Sequence, residues 1–317
     1  TLSGEKIQNI RLRIEKKQFT QAKGKVLQQK ISARYMQRIK ADVQIARRLK
    51  VVVDCGNGVA GMLAPQLFQE LGCEVIPLFC EVDGRFPNHH PDPSQPENLQ
   101  ELMGAVKLHK AHIGLAFDGD GDRLGVVSDQ GKILWPDRLL MLFAKDILTR
   151  NPGAEFIYDV KCSKHLADVI VQHKGLPVMW KTGHSLIKAK LQQSKQAVMA
   201  GEMSGHIYFK ERWYGFDDAL YAGARLLEIL SGDNKSVTEV FAAFPDSVNT
   251  PELHIHLQEG EQYQFMDRVI SEASFPDARI LTIDGLRVEF SDGWGLVRAS
   301  NTTPCLVLRF EAENSQA

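Results

Sequence analysis

The stretch KVVVDCGNGVAG at 50–61 constrains the fold more than any other part of the chain. Its run of three valines reads as a strand buried on both faces, as strands of parallel sheets are. The glycines after it allow a tight turn, and APQLFQELG continues as a helix. CEVIPLF at 73–79 is then a second strand. Strand, helix and strand at this spacing make a βαβ unit with a parallel pair.

The same rhythm recurs downstream. Ahead of it, residues 5–17 place Ile7, Ile10, Leu12 and Ile14 at roughly helical spacing, and a charged helix is expected over 34–48. Residues 81–98 hold four prolines and read as a loop, followed by a helix over 97–110. IGLAF (113–117) and LGVV (124–127) read as strands around an acidic loop. From 137 to 232, four helical stretches alternate with the strands EFIYDV, LPVMWK and AVMAGE. Beyond Pro251, ELHIHL and ARILTIDGLRVEF alternate apolar and polar residues, as antiparallel strands do. A helix over about 261–273 and the strand CLVLRF complete this part. The expected class is therefore α/β: two consecutive mixed α/β domains followed by a smaller α+β domain with an antiparallel sheet. The boundaries expected are 31–132, 133–245 and 246–317.

The 317 residues carry a net charge of -1, which argues against a nucleic-acid binder. No apolar run approaches the roughly 20 residues that cross a bilayer, so no membrane partner is expected. Cys55, Cys73, Cys80, Cys162 and Cys305 are odd in number and form no C-x-x-C pair. Most lie in or beside apolar runs, which reads as buried free thiols in a reducing compartment.

Three polar loops carry the chemistry. FDGDGDR sets Asp118, Asp120 and Asp122 at alternating positions, with glycines that let the backbone aim all three carboxylates at one point. Such a group needs a compensating cation, and hard oxygen ligands suit Mg²⁺ or Ca²⁺. An EF-hand is excluded, because its sixth and twelfth positions would be Arg123 and Asp129 and its flanks here are strands. Arg123 is placed to hold a phosphate beside such a metal. The loop GEMSGH offers Glu202, Ser204 and His206, donors and acceptors that fit sugar hydroxyls; taken alone it also fits an ordinary surface turn. GLVRASNTTP offers Arg298, Ser300, Asn301, Thr302 and Thr303, a guanidinium with hydroxyls and amides suited to a phosphate dianion, or a polar turn. Lys161 and His184 each follow a strand of the second α/β stretch, at the edge where α/β sheets bind ligands.

These loops, in this order, resemble the α-D-phosphohexomutase superfamily, whose metal, sugar and phosphate loops read DGDGDR, GEMSGH and R-A-S-N-T. VVVDCGNGVAG, FPNHHPDP, DVKC and MWKTGHSLIK are similar to the family too, so the likeness covers nearly the whole chain. Met203, where the glucosamine-phosphate branch typically has glutamine, resembles the dual mannose/glucose branch of bacteria. The resemblance implies that Asp118, Asp120 and Asp122 bind Mg²⁺ and that Arg123 assists at a phosphoserine. It implies that Glu202, Ser204 and His206 hold the sugar and that Arg298, Ser300, Asn301 and Thr302 anchor the phosphate not in transfer. Lys161 and His184 would be acid/base or orienting groups. Implied, too, are a reversible exchange of hexose 1- and 6-phosphates through a bisphosphorylated sugar, a monomer and a cytoplasmic setting.

The chain departs from the family in two respects, the second being that the helix expected to close the last domain is absent after 317, so that 246–317 is expected to be C-terminally truncated. The family's nucleophile lies in a Thr-x-Ser-His-Asn-Pro motif, and Ser-His-Asn-Pro occurs nowhere here. Residues 1–30 resemble the end of the serine-bearing first domain and its connector. The resemblance thus implies a fragment, inactive alone, whose missing partner is that N-terminal domain. The alternatives are a non-catalytic sugar-phosphate binding module and a phosphoglucosamine mutase.

Overall fold

The structure, a computed structural model, describes residues 4–314. Helix α1 (Glu5–Glu15) leaves Ile7, Ile10, Leu12 and Ile14 exposed, whereas α2 (Ser32–Lys40) buries Met36 and Ile39. The helix expected over 34–48 thus stops at Lys40. Just beyond it, Asp42 accepts from the Tyr221 hydroxyl at 2.6 Å and pairs with Arg212 at 3.1 Å. Those tertiary contacts hold the chain out of helical geometry.

The first α/β unit is built on β1 (Lys50–Asp54), flanked in parallel by β2 (Glu74–Leu78) and β3 (Ile113–Phe117). Strands β4 (Leu124–Ser128) and β5 (Ile133–Leu134) add antiparallel, giving the order β2-β1-β3-β4-β5. Helix α3 (Ala64–Glu70) makes the β1–β2 crossover. The helix expected over 97–110 opens as a 3₁₀ turn, Pro96–Leu99, before α4 (Gln100–His109). Val52 packs against Leu102 and Val106 of α4, while Val51 and Val53 face a larger core on the other side. Burial on both faces is why this strand lacks polar alternation.

The second unit begins with α5 (Pro136–Arg150), then β6 (Glu155–Asp159), α6 (Lys164–Gln172), β7 (Leu176–Trp180), α7 (His184–Gln193), β8 (Ala197–Gly201) and β9 (Ile207–Phe209). It ends with α8 (Ala219–Ser231) and α9 (Val237–Ala242). Its sheet order is β7-β6-β8-β9, with only β9 antiparallel. Both α/β units share one core. Val53 and Val126 of the first sheet join Leu140 and Phe143 of α5 and Met199 and Phe209 of the second. Helix α8 packs on β3, β4 and β9, and α5 on β4 and β8, so these helices form a layer common to both sheets. Each large side chain buried there contributes about 1.5–3 kcal/mol.

The third unit holds β10 (Val248–Asn249), β11 (Leu253–His256), α10 (Glu261–Glu272), β12 (Arg279–Leu281), β13 (Leu286–Glu289), β14 (Gly293–Ala299) and β15 (Cys305–Ala312). Its sheet is antiparallel throughout, in the order β10-β15-β14-β13-β12, with β11 also pairing β15. Two buried arginines fasten it to the second unit. Arg287 donates to the carbonyls of Val160 at 2.6 Å and Cys162 at 2.8 Å, and Arg309 donates to that of Lys161. The Arg287 guanidinium lies 3.8 Å from the centre of the Trp294 ring, a cation–π contact in a dry setting. Among the described residues no helix is long and apolar enough to cross a membrane.

Candidate active site

The acidic loop joins the antiparallel pair β3 and β4. Asp118, buried at its base, organises it: one carboxylate oxygen accepts the backbone N–H of Gly121, Asp122 and Arg123 at 3.0–3.1 Å. The other oxygen accepts Arg123 Nε at 2.8 Å. Asp120 is exposed and Asp122 half-buried, and one carboxylate oxygen from each of the three lies within 4.8 Å of the others. The loop rests on the turn after β1, where Val59 N–H donates to Gly119 O at 3.0 Å. A Cβ on Gly58 would come within 2.8 Å of that oxygen, so this close approach requires glycine.

The carboxylates of this loop crowd one another. Burial, then the charges of Asp118 and Asp120, push the Asp122 carboxyl up to about 7 against the opposing pull of His206. Burial alone would raise Asp118 as well, but the hydrogen bonds and charge of Arg123 outweigh it and hold that carboxyl below its ordinary value. Three hard oxygen donors converging on one point fit a magnesium ion, which also leaves coordination positions for water and phosphate. Arg123 divides its guanidinium between Asp118 and Asp92, the latter at 2.9 Å.

The second loop turns directly against the first. Leu124 N–H donates to Gly205 O at 3.0 Å, and Arg123 and His206 form an antiparallel bridge. Gly205 adopts φ 99°, and a Cβ there would meet Leu124 O at 2.9 Å. Glu202 is buried and accepts from Gly183 N–H at 2.7 Å and the Tyr208 hydroxyl at 2.5 Å. Ser204 lies half-buried on the same turn. His206 Nδ1 stands 3.3 Å from Asp217 and 3.6 Å from Asp122. His184, at the start of α7, stacks on His206 at 5.5 Å and reaches the same Asp217 oxygen at 3.3 Å. Lys188 takes the other oxygen of Asp217 at 2.6 Å. Burial would raise Asp217, but His206 and Lys188 hold its carboxyl far below the usual carboxylate range. Burial lowers His206, and Asp217, Glu202 and Asp122 more than restore it, so the imidazole sits above its ordinary value.

The third loop follows β14, and its arginine belongs to the strand. Arg298 is buried and donates through Nε to Asp284 at 2.9 Å, while its buried Nη2 has no hydrogen-bond partner among the described residues. An orphaned guanidinium nitrogen is what an incoming phosphate oxygen would satisfy. Ser300 Oγ meets Thr303 Oγ1 at 3.0 Å and Thr302 Oγ1 at 3.4 Å, with the Thr302 and Thr303 amides directed at it. Asn301 and Thr302 are exposed at the tip.

The turn 182–184 joins the second and third loops. Thr182 N–H donates to Asp284 at 3.0 Å, its hydroxyl donates to Asp159 at 2.9 Å, and its carbonyl accepts from Asn301 at 3.5 Å. Lys161 is buried, with Glu252 Oε1 2.5 Å from its ammonium. Burial lowers the pKa of this lysine, but Glu252 and Asp159 raise it by more. Sequence reasoning missed Asp92, Asp159, Asp217, Glu252 and Asp284. Asp92 and Asp159 lie inside the family-like segments FPNHHPDP and DVKC, and Asp217 in a DD pair after an aromatic run, whereas Glu252 and Asp284 had no local signal.

Comparison with known proteins follows this geometry. Residues 33–131 match the model "Phosphoglucomutase/phosphomannomutase, alpha/beta/alpha domain II", 135–248 match the family's alpha/beta/alpha domain III, and 252–317 match its C-terminal domain. The chain is 58% identical to a phosphomannomutase/phosphoglucomutase of Pseudomonas putida, over 99% of this chain and 68% of the relative. It is 56% identical to a phosphoglucomutase of Neisseria meningitidis, over 100% of this chain and 69% of the relative. A solved phosphoglucomutase/phosphomannomutase family protein from Burkholderia thailandensis superposes with a TM-score of 0.94 at 52% identity, covering 99% of this chain and 67% of that one. Three successive domain models of one mutase, matched in order, and relatives of that name more than half identical along the chain mean that it belongs to the phosphoglucomutase/phosphomannomutase family.

Proposed function

We propose that this chain carries the groups that hold a metal, a hexose and a distal phosphate in a mutase exchanging hexose 1-phosphate with hexose 6-phosphate. One observation carries the reading: the three polar loops form a continuous set of contacts. The Arg123–His206 bridge ties the acidic loop to the Glu202 loop. Gly183 and Thr182 then tie Glu202 to Asp284, and Asp284 to Arg298. A substrate spanning the loops would meet carboxylates at one end and a guanidinium at the other.

In this reading Asp118, Asp120 and Asp122 would hold Mg²⁺, which would supply positive charge against a phosphoryl group. Arg123 spreads the same charge, held in place by Asp118 and Asp92. Arg298 grips the other phosphate, with the Ser300, Asn301 and Thr302 loop closing over it through hydroxyls and amides. Glu202 and Ser204 address hydroxyls of the ring. Contacts at the 3- and 4-hydroxyls would serve mannose and glucose alike, because those sugars differ at the 2-position. His206 and His184 share Asp217 and can hold or release a proton between the metal and sugar loops, and Lys161 is an acid/base or orienting group held by Glu252. The reading extends to a bisphosphorylated intermediate, a monomer and a cytoplasmic setting, the last in keeping with five free thiols.

The test is calorimetric titration of the 317-residue chain with mannose 1-phosphate and glucose 1-phosphate in the presence of Mg²⁺. Both sugars should bind, and Arg298→Ala should weaken both by roughly 10- to 100-fold, the worth of a lost charge-assisted contact. Equal affinity in the variant would sink the assignment of the phosphate loop.

A further inference from the structure

Two of the five free cysteines touch each other, away from the three loops. Cys55 follows β1 and is fully buried; Cys80 lies just beyond β2 and is half-buried. Their sulfurs are 3.5 Å apart. The backbones are held together by the sheet itself, since Asp54 pairs with Leu78 and Cys55 N–H donates to Leu78 O at 3.1 Å. Cys80 Sγ is otherwise directed at the carbonyls of Val53 and Leu78, both at 3.4 Å. The other thiols are buried and differently engaged. Cys162 contacts Asp159 at 3.1 Å, Cys305 lies 3.2 Å from Thr303 Oγ1, and Cys73 is 7% exposed. Contact with Cys80, then burial, pushes the Cys55 thiol up, while contact with Cys55 draws the Cys80 thiol down. Cys80 is thus the more accessible of the two, as a thiol that meets an oxidant first must be.

We propose that Cys55 and Cys80 form a reversible disulfide when the chain meets a small hydroperoxide. The Cys80 thiolate attacks a peroxide oxygen and the O–O bond breaks, leaving a sulfenic acid and releasing hydroxide or alkoxide, which takes up the thiol's proton. Cys55 sulfur then attacks Cys80 sulfur; the S–O bond breaks, and water leaves with the Cys55 proton. Two thiols lose two hydrogens, and one peroxide is reduced to two hydroxyl compounds. The sulfurs must close from 3.5 Å to roughly 2 Å, a small adjustment for side chains on adjacent strands.

The bond would be felt at the acidic loop. Asn57 N–H donates to Phe79 O at 2.8 Å and Asn57 Nδ2 to Glu81 O at 2.7 Å, while Val59 N–H donates to Gly119 O at 3.0 Å. A disulfide closes a ring around the first two bonds and stiffens the turn that supplies the third.

The experiment treats the 317-residue chain with hydrogen peroxide and then with dithiothreitol. Cleavage after Glu70, Glu74 and Glu81 separates Cys55, Cys73 and Cys80 into different peptides for mass spectrometry. Two of the five thiols should disappear, the Cys55 and Cys80 peptides should be joined, and dithiothreitol should part them. Cys80→Ser should abolish the link and Cys73→Ser should leave it intact. Hydrogen exchange at Val59 should slow in the oxidised chain and recover on reduction. Sulfinic acid at Cys80 with Cys55 still free, or pairing with any other cysteine, would overturn the proposal. Unchanged exchange at Val59 would overturn its connection to the acidic loop.

Discussion

The ammonium of Lys161 and the carboxylate of Glu252 lie 2.5 Å apart and join the end of β6 to the start of the antiparallel unit. Lys161 is buried, whereas the Glu252 side chain keeps 29% exposure. Removing one partner of a buried pair leaves an uncompensated charge, which costs roughly 3–5 kcal/mol when both are dry. Solvent at Glu252 lowers that, so Glu252→Gln should cost on the order of 2 kcal/mol. The denaturant midpoint measures it. Adding Lys161→Met to that variant should recover much of the loss, because no charge is then stranded. A midpoint insensitive to Glu252→Gln would mean that Lys161 is solvated.

Asp92 should govern how firmly the acidic loop binds a divalent cation. Arg123 is shared between Asp92 at 2.9 Å and Asp118 at 2.8 Å. In Asp92→Asn the guanidinium leans wholly on Asp118 and competes with the cation for its oxygens. One negative charge near the site is also lost, and both effects act in the same direction. Mn²⁺ affinity, followed by electron paramagnetic resonance, should fall about three- to tenfold, the worth of one partly exposed charged hydrogen bond. Affinity that stays level or rises would refute the competition.

How much of this was legible beforehand depended on sequence distance. The acidic loop, the Glu202 loop and the Arg298 loop are each contiguous, so their residue types declared their chemistry. Asp217, Asp284 and Glu252 gain their roles only across the fold. Lys161 and Glu252 are 91 positions apart, and Thr182 and Asp284 102 apart, so no local pattern links them. Strand β14 opens on glycines that break the alternating pattern: Gly293 lies against the backbone of Glu311 and Ala312, and Gly295 faces the Phe310 ring. The alternation of strands and helices gave the two α/β units, but not that α5 and α8 would serve both sheets. Periodicity marks which face of a helix is apolar; it does not say how many sheets will cover it.

His89 gives the chain a pH-dependent contribution to stability outside the candidate active site. Its Nε2 lies 3.2 Å from both oxygens of the buried Asp54, and it is 11% exposed. The Asp54 hydrogen bond raises the imidazole pKa, outweighing burial, which lowers it. A raised folded pKa means stability that is fully present below the unfolded value of about 6.5 and is lost as pH rises through the folded one. Thermal unfolding should therefore show the native chain ahead of His89→Gln in mild acid, with the gap narrowing toward alkaline pH. A gap that widens with pH would reverse the sign and exclude the ion pair.

The last prediction concerns turnover. The groups on this chain can hold both ends of a hexose phosphate, but a mutase also needs a covalently held phosphoryl group to donate and take back. Two serines near the loops are engaged otherwise: Ser300 Oγ is turned to Thr302 and Thr303, and Ser163 Oγ donates to Glu311 at 2.9 Å. No Ser-His-Asn-Pro occurs in the 317 residues. The chain alone should therefore bind glucose 1-phosphate with Mg²⁺ yet release no glucose 6-phosphate in an assay coupled to its dehydrogenase, even with glucose 1,6-bisphosphate added as primer. Joining it to a segment that bears a phosphoserine should restore turnover, and that turnover should fall with Arg298→Ala. Turnover by the chain alone at the rate of the joined protein would show that a serine among these residues is the nucleophile, and mass spectrometry of the phosphorylated chain would then identify it.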